Sequence, residues 1–409
     1  MPWKECVVSE VRKEFVKLAS LEDANISELC RRFGISRRCG YKWLSRHRQG
    51  DVMLADRSRR PKASPARISD ETCRRIVQLR RKHPAWGGRK IHQLLKDESE
   101  VPSVSSISRI LFRGGMISQE KSAQHRPFIR FEHAHPNDLW QMDFKGHFAL
   151  RDGSRCHPLT VMDDHSRYCL CLRACVGESA EQVRPALAML FENHGLPERI
   201  LCDNGSPWGT SWPDRPKSHQ RYTRLGVWLL RQGVKVCHGR PFHPQTQGKE
   251  ERLHRTLTEE LLQWQMLSNP RHAQRSFDRW REVYNCVRPH EALDLKVPAS
   301  CYRKSARPYR PDAKVEYAQS DQVRKVDING LFHYRGVQWR LGEAFAGEQV
   351  AVRPTESDGL LTVVYANHVV AGVDLRQKLA DGAAMCCAEP PVAALPPAQH
   401  STGKVLPMS

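Results

Sequence analysis

Acidic residues are in short supply. The 409-residue chain has 45 Asp and Glu against 65 Lys and Arg, a formal charge of +20. That imbalance points to a polyanionic partner, usually nucleic acid, and leaves the fold open. No apolar run approaches the roughly 18 residues of a membrane span, so no membrane partner is expected. The opening segment, MPWKECVVSEVRKEFVK, is charged throughout and lacks the apolar core of a secretory signal. The 14 cysteines show no paired spacings, which reads as reduced thiols in the cytosol rather than a disulfide framework. What is present is globular: 40% apolar and 27% charged residues exclude a disordered chain. At about 150 residues per domain, the length predicts two to four domains.

The charge is concentrated at the front. Residues 1–130 carry 29 Lys and Arg against 14 Asp and Glu. Within 1–50 the spacing predicts three helices. The first runs Lys4 to Ala19 with Val8, Val11, Phe15 and Leu18 on one face. The second carries Ile26, Leu29, Cys30 and Phe33 and ends at Gly34; Ile35 plugs the core and Ser36 caps the third, Arg37 to Arg48, with Tyr41, Trp43 and Leu44. Helix, glycine turn and basic helix form a helix-turn-helix pattern, with Arg37, Arg38, Lys42 and Arg46 as candidate DNA contacts. Residues 51–66 read as a basic linker in which Arg59 and Arg60 track phosphates. Residues 67–117 repeat the theme: a helix capped by Ser69 and Asp70, a turn at 83–88, and two more helices through Phe112. Tandem modules favour a defined DNA site.

A linker at 118–135 precedes a change of pattern. From 136, strands are predicted at Leu139–Phe144, Pro158–Asp163 and Tyr168–Ala174, with a turn at Arg151-Asp152-Gly153-Ser154. A helix follows over Ser179–Asn193, its capping box Ser179 and Gln182, with Pro185 predicting a kink or a late start. Strand Arg199–Cys202, helix Thr223–Arg231, strand Val234–Cys237 and a long helix Gly248–Gln265 complete the order. Leu253, Leu257, Leu261 and Trp264 line that helix's apolar face. Three meandering strands followed by alternating helices and strands predict a mixed five-stranded sheet covered on both faces, an α/β core over 136–300. Short β segments over 322–373 predict a small β-rich, barrel-like or sandwich domain, and 376–409 a disordered tail.

Three acids stand out by placement: Asp143 inside the first strand, Asp203 after the fourth, and Glu251 opening the long helix, beside Glu250. Parallel pairing of the first and fourth strands places Asp143 and Asp203 side by side. Crowded carboxylates repel unless a cation joins them. Hard oxygens suit Mg²⁺ or Mn²⁺, and two such ions stabilise both oxygens of a phosphoryl displacement. On chemistry alone Glu250 equals Glu251, and Asp163 and Asp164 either join the site or cap their own turn. Lys249, Arg252, His254 and Arg255 are candidate phosphate contacts. Arg288 and His290 either approach the site or pack the last helix.

Five segments carry a resemblance: Trp140–Gly146, Asp163–Tyr168, Leu201–Gly205, Arg240–Thr256 with its Pro-Gln-Thr-Gln-Gly-Lys-Glu-Glu-Arg run, and Tyr284–Leu293. The chain resembles the DDE transposases of bacterial insertion sequences whose catalytic core is similar to retroviral integrases. The resemblance implies a ribonuclease-H-like core, maps the catalytic and metal-holding acids onto Asp143, Asp203 and Glu251, and prefers Glu251 to Glu250. It implies binding of terminal inverted repeats and target DNA, Mg²⁺-dependent cleavage and 3′-hydroxyl strand transfer, a homo-oligomer, and residence in the bacterial cytoplasm at the nucleoid. Two departures stand out. Forty-seven residues separate Asp203 from Glu251, longer than in many members, and no His-His-Cys-Cys pattern precedes the core. Rival readings are a non-joining nuclease of the same fold, an inactive relative acting as a DNA-binding regulator, and an assembly protein.

Overall fold

The computed structural model describes residues 8–56, 68–98, 101–117, 133–204, 206–209, 222–239, 248–376 and 385–387. Arg59, Arg60 and the segment leading into Gly248 lie outside them. The chain divides into two compact units, Met1–Ile68 and Ser69–Ser409.

The first unit holds α1 (Val8–Ala19), α2 (Ile26–Arg32) and α3 (Arg37–Arg48). Asn25 and Ser36 cap α2 and α3 through the backbone N–H groups of Glu28 and Cys39. Gly34 turns between them at φ +65°, a conformation that glycine adopts without Cβ strain. Gly40 lies where α3 crosses its neighbours; a Cβ there would meet Cys30 Sγ at 2.6 Å and Phe15 Cζ at 2.9 Å. The buried face of α1 is Phe15, Val16 and Ala19, while Val8 is 61% exposed and Val11 also faces solvent. Packing against Cys30 and Trp43 sets that rotation, which differs from the predicted Val8/Val11 stripe. Tyr41 also faces outward.

The second unit opens with α4 (Asp70–Lys82), α5 (Gly88–Leu95) and α6 (Val104–Arg113) around buried Ile76, Trp86, Ile91 and Ile107. Then come β1 (Trp140–Phe144), the two-residue β2 (Phe148–Ala149), β3 (Arg155–Asp163), β4 (Cys169–Cys175), α7 (Ala180–His194), β5 (Arg199–Cys202), α8 (Arg224–Arg231), β6 (Lys235–His238), α9 (Gly248–Leu257) and α10 (Pro270–Cys286). β4–β3–β1–β5–β6 form the mixed five-stranded sheet, with β2 added on β3. β3 is antiparallel to β1 and β4; β5 is parallel to β1 and β6.

The sheet separates two cores. Trp140, Leu159, Val161, Leu187 and Phe191 form one; Met162, Leu172, Leu253, Leu257, Phe277 and Trp280 form the other. Three local expectations change. α7 starts at Ala180 and runs through Pro185, and Ser179 makes no capping bond from its side chain; its hydroxyl donates to Glu181 instead. After Leu257 the long helix widens into a π turn over Thr258–Leu262. The change of period rotates Trp264 off the apolar stripe, leaving it 66% exposed.

The last segment forms β7 (Gln322–Lys325), β8 (Leu331–Tyr334), β9 (Val337–Arg340), β10 (Gln349–Pro354), β11 (Leu360–Tyr365) and β12 (His368–Asp374). β12–β11–β10–β7 make one sheet, and β8 and β9 belong to a second. The two share a core with Val227 and Leu230 of α8. Of the segment predicted as a disordered tail, Arg376 and residues 385–387 are described and the rest lies outside the described residues; within it β13 (Met385–Cys386) pairs in parallel with β9, whose edge offers unpaired backbone groups to a nearby extended chain.

Candidate active site and DNA-binding surfaces

The parallel register of β1 and β5 pairs Trp140 with Ile200 and Gln141 with Leu201. Asp143 and Asp203 each stand two residues beyond that last pair, so the two acids leave neighbouring strands at the same level. Asp143 is half-buried. Desolvation, followed by the charge on Asp203, pushes its carboxyl up to about 7, with Glu178 and Glu251 adding to the rise. Asp203 sits at the solvent-facing mouth, where desolvation and the Glu178 charge push it up to about 6.

The first turn of α9 separates the two glutamates. Glu251 is exposed and its charge reaches Asp143. Glu250 is 0% exposed. Its Oε2 accepts from the Thr160 hydroxyl at 2.9 Å, and its Oε1 has no partner. Burial raises that carboxyl well above the usual range, which favours the neutral acid. His254 lies between the two layers, its Nδ1 4.0 Å from Asp143 Oδ2 and its Nε2 2.8 Å from Thr160 Oγ1. Burial lowers its pKa to about 4.

Asp163 and Asp164 serve the scaffold. Asp163 accepts from Asn137 N, Ser166 N and Ser166 Oγ. Asp164 accepts from Gln141 Nε2, His133 N and Lys249 Nζ. Arg288 and His290 pack locally: Arg288 Nε lies 2.9 Å from Glu260 Oε1, and the His290 ring meets Tyr284 edge-on. Glu260 also accepts from Trp86 Nε1 at 2.9 Å, tying the loop before α5 to the core. The sequence reading missed Glu178. Just before α7, it contacts His157 Nδ1 at 2.9 Å and raises both Asp143 and Asp203; the only local signal was an acid at the end of a strand-to-helix turn. Among the described residues no group of three His, Cys, Asp or Glu side chains converges closely enough to hold a metal ion.

This arrangement has counterparts. An integrase core domain model matches residues 133–244 and a second matches 232–298. A helix-turn-helix domain model matches 11–62, a homeodomain-like model 39–111, and the C-terminal domain of IS481 family transposases 321–381. The uncharacterised 31.7 kDa protein of insertion element IS407 from Burkholderia multivorans (strain ATCC 17616 / 249) is 25% identical over 68% of this chain and 91% of its own length. These matches make the chain similar to insertion-element transposases that carry an integrase core. The uncharacterised 39.2 kDa protein of IS476 from Xanthomonas euvesicatoria is 25% identical over 55% of this chain, and the match spans 62% of that relative. The solved HTLV-2 integrase catalytic core domain in complex with magnesium (trimeric form) overlaps 42% of this chain and all of its own, at 14% identity and TM-score 0.32.

The helix-turn-helix and homeodomain-like matches indicate DNA binding by the front of the chain. Arg37, Arg38 and Lys42 are exposed along α3. Arg46 is not available in the same way: it is buried, bonded to Asp51 Oδ2 and Ala55 O, and its guanidinium lies over the Trp43 ring. On α9, Arg252 and Arg255 are exposed. Lys249 is drawn inward by Asp164, and His254 is enclosed beside Asp143, so neither faces DNA as predicted. No helix among the described residues is long and apolar enough to cross a membrane.

Proposed function

We propose that the protein is a transposase that cuts DNA at the ends of its element and joins the exposed 3′-hydroxyl to target DNA, with Asp143, Asp203 and Glu251 as the catalytic carboxylates. One observation carries this reading. Asp143 and Asp203 leave adjacent parallel strands together, and the charge on Asp203 raises the Asp143 carboxyl. Two desolvated hard-oxygen donors that repel each other have the chemistry that suits Mg²⁺ or Mn²⁺, and Glu251 supplies the third. When bound, one or two such ions supply positive charge where the attacking and leaving oxygens become more negative.

The strands fix Asp143 and Asp203, and the first turn of α9 fixes Glu251, so the carboxylates keep their places while the nucleophile changes. In cleavage, a water oxygen bonds to the phosphorus at the element end and the 3′-oxygen leaves with a proton. In joining, that 3′-hydroxyl bonds to a target phosphorus, loses its proton and displaces a target 3′-oxygen. Arg37, Arg38 and Lys42 hold terminal-repeat DNA, and Arg252 and Arg255 hold phosphates beside the carboxylates. Joining two ends in one event takes at least two protomers.

The test is strand transfer. Purified protein receives Mg²⁺, a labelled duplex from the ends of its element and a plasmid target, beside Asp203→Asn. Joined product that disappears in the variant is expected. Specific binding with neither cutting nor joining overturns the reading in favour of a DNA-binding regulator, and nicking without joining leaves a nuclease.

A further inference from the structure

Three consecutive side chains in the first turn of α9 take different paths. Glu251 faces solvent, Glu250 enters the core, and Lys249 reaches back to the turn after β3. Lys249 Nζ lies 2.5 Å from Asp164 Oδ1 and 3.3 Å from the Asp164 carbonyl oxygen. Asp164 is nearly fully buried. Its Oδ1 also accepts from Gln141 Nε2 at 2.6 Å, its Oδ2 from His133 N at 2.9 Å, and its backbone N–H donates to Leu139 O at 2.9 Å. Gln141 belongs to β1, two residues before Asp143; Lys249 belongs to α9, two residues before Glu251. A single buried carboxylate therefore joins the strand that carries one active acid to the helix that carries another.

We infer that Asp164 and Lys249 are positioning residues. Their ion pair sets the separation of Glu251 from Asp143, and Lys249 does not hold DNA phosphate. The inference rests on the assignment of Asp143 and Glu251 as catalytic. Its physical basis is that a buried, multiply bonded charge pair has one geometry. Among the described residues α9 is also tied to the sheet through Thr160, by Glu250 and by His254. Losing the Lys249 ammonium releases the anchor to the end of β3, and an active group displaced by about 1 Å costs about 100-fold in rate.

Lys249→Met keeps the aliphatic stem and removes the charge; Lys249→Arg keeps the charge. The full-length protein is assayed for strand transfer with Mg²⁺ under saturating and limiting DNA, for terminal-repeat affinity at several salt concentrations, and for melting temperature. For Lys249→Met the expected result is a kcat lower by about 100-fold, with DNA affinity and its salt dependence unchanged. Lys249→Arg restores most of the rate. In an Asp164→Asn background that still folds, Lys249→Met adds little further loss. An affinity loss with the salt slope reduced by about one overturns the inference and makes Lys249 a phosphate contact. A lower melting temperature with normal joining at a permissive temperature also overturns it, leaving a purely structural pair. If wild type itself does not join ends, or Asp203→Asn still does, the catalytic assignment fails instead, and that outcome is read from those two proteins alone.

Discussion

Two pairs of aspartates stand on the same sheet and live under opposite conditions. Asp163 and Asp164, at the end of β3, are buried and surrounded by donors. Burial still raises the Asp163 carboxyl, but that of Asp164 is held below its ordinary range: burial opposes this, and Lys249 and Arg167 outweigh it. Asp143 and Asp203, at the ends of β1 and β5, are half-buried and exposed respectively, and the charges that act on them come from other acids. An acid matched by donors has its charge spent within the protein. An acid pressed against other acids at a solvent-facing edge is pushed toward its neutral form, and a cation that arrives from outside relieves that repulsion. The difference separates scaffold from candidate chemistry without reference to any relative.

Breaking the second pair should have the larger effect on function. Asp143→Asn or Asp203→Asn is expected to lower strand transfer by at least about 1000-fold while leaving terminal-repeat binding and the melting temperature intact. Asp164→Asn is expected to lower joining less, by about 100-fold, and in addition to cost about 3 kcal/mol of folding, because it removes one partner of a buried pair. Gel-resolved joining assays and urea unfolding measure the two effects. If Asp143→Asn destabilised the protein as much as Asp164→Asn, the contrast between the pairs would collapse.

The glutamates sharpen the same contrast within one helical turn. Glu251→Gln is expected to abolish joining at unchanged stability. Glu250→Gln replaces an acid already favoured as neutral with an amide of the same shape, so stability should change by no more than about 1 kcal/mol and joining should persist. Loss of joining in Glu250→Gln with retention in Glu251→Gln would exchange their roles. A similar split is expected on α3. Arg46→Ala should cost about 2 kcal/mol of folding, through the lost bonds to Asp51 and Ala55, whereas Lys42→Ala should weaken DNA binding and reduce its salt slope by about one.

How much of this was legible from the sequence depended on where the deciding contact lies. The capped start of α3, the Gly34 turn, and the β1–β5 juxtaposition follow from neighbouring residues and strand order, and were predicted. The face of α1 was not, because Cys30 and Trp43 select Phe15 over Val8 across the bundle. Arg46 looked like a DNA contact because Asp51, its partner, is on the chain leaving the helix rather than on the helix itself. Trp264 looked apolar-facing because periodicity assumes an unbroken α-helix, and the π turn changes it. Lys249 reads as one more cation in a basic run until the fold brings Asp164 to it. For the candidate acids, strand order puts Asp143 and Asp203 together, while Glu250 and Glu251 are equal on chemistry and only the resemblance prefers Glu251; in the structure Glu250 is buried and Glu251 exposed.

The smallest expected effect asks whether the satisfied class extends to a buried base. His290 is enclosed by Tyr284 and Arg288, and desolvation, then the Arg288 and Lys90 charges, lower its pKa to about 2. Its unfolded value is about 6.5. Between those values the unfolded chain binds a proton that the native state refuses, so stability is full above about pH 6.5 and falls as the pH drops below it. The slope for one such proton approaches about 1.4 kcal/mol per pH unit. His290→Asn cannot take up that proton, and its unfolding free energy should fall less steeply between pH 6.5 and pH 5 than that of wild type. Parallel slopes would mean that His290 protonates in the native state as readily as in the unfolded one. Its enclosure by Tyr284 and Arg288 would then be incomplete.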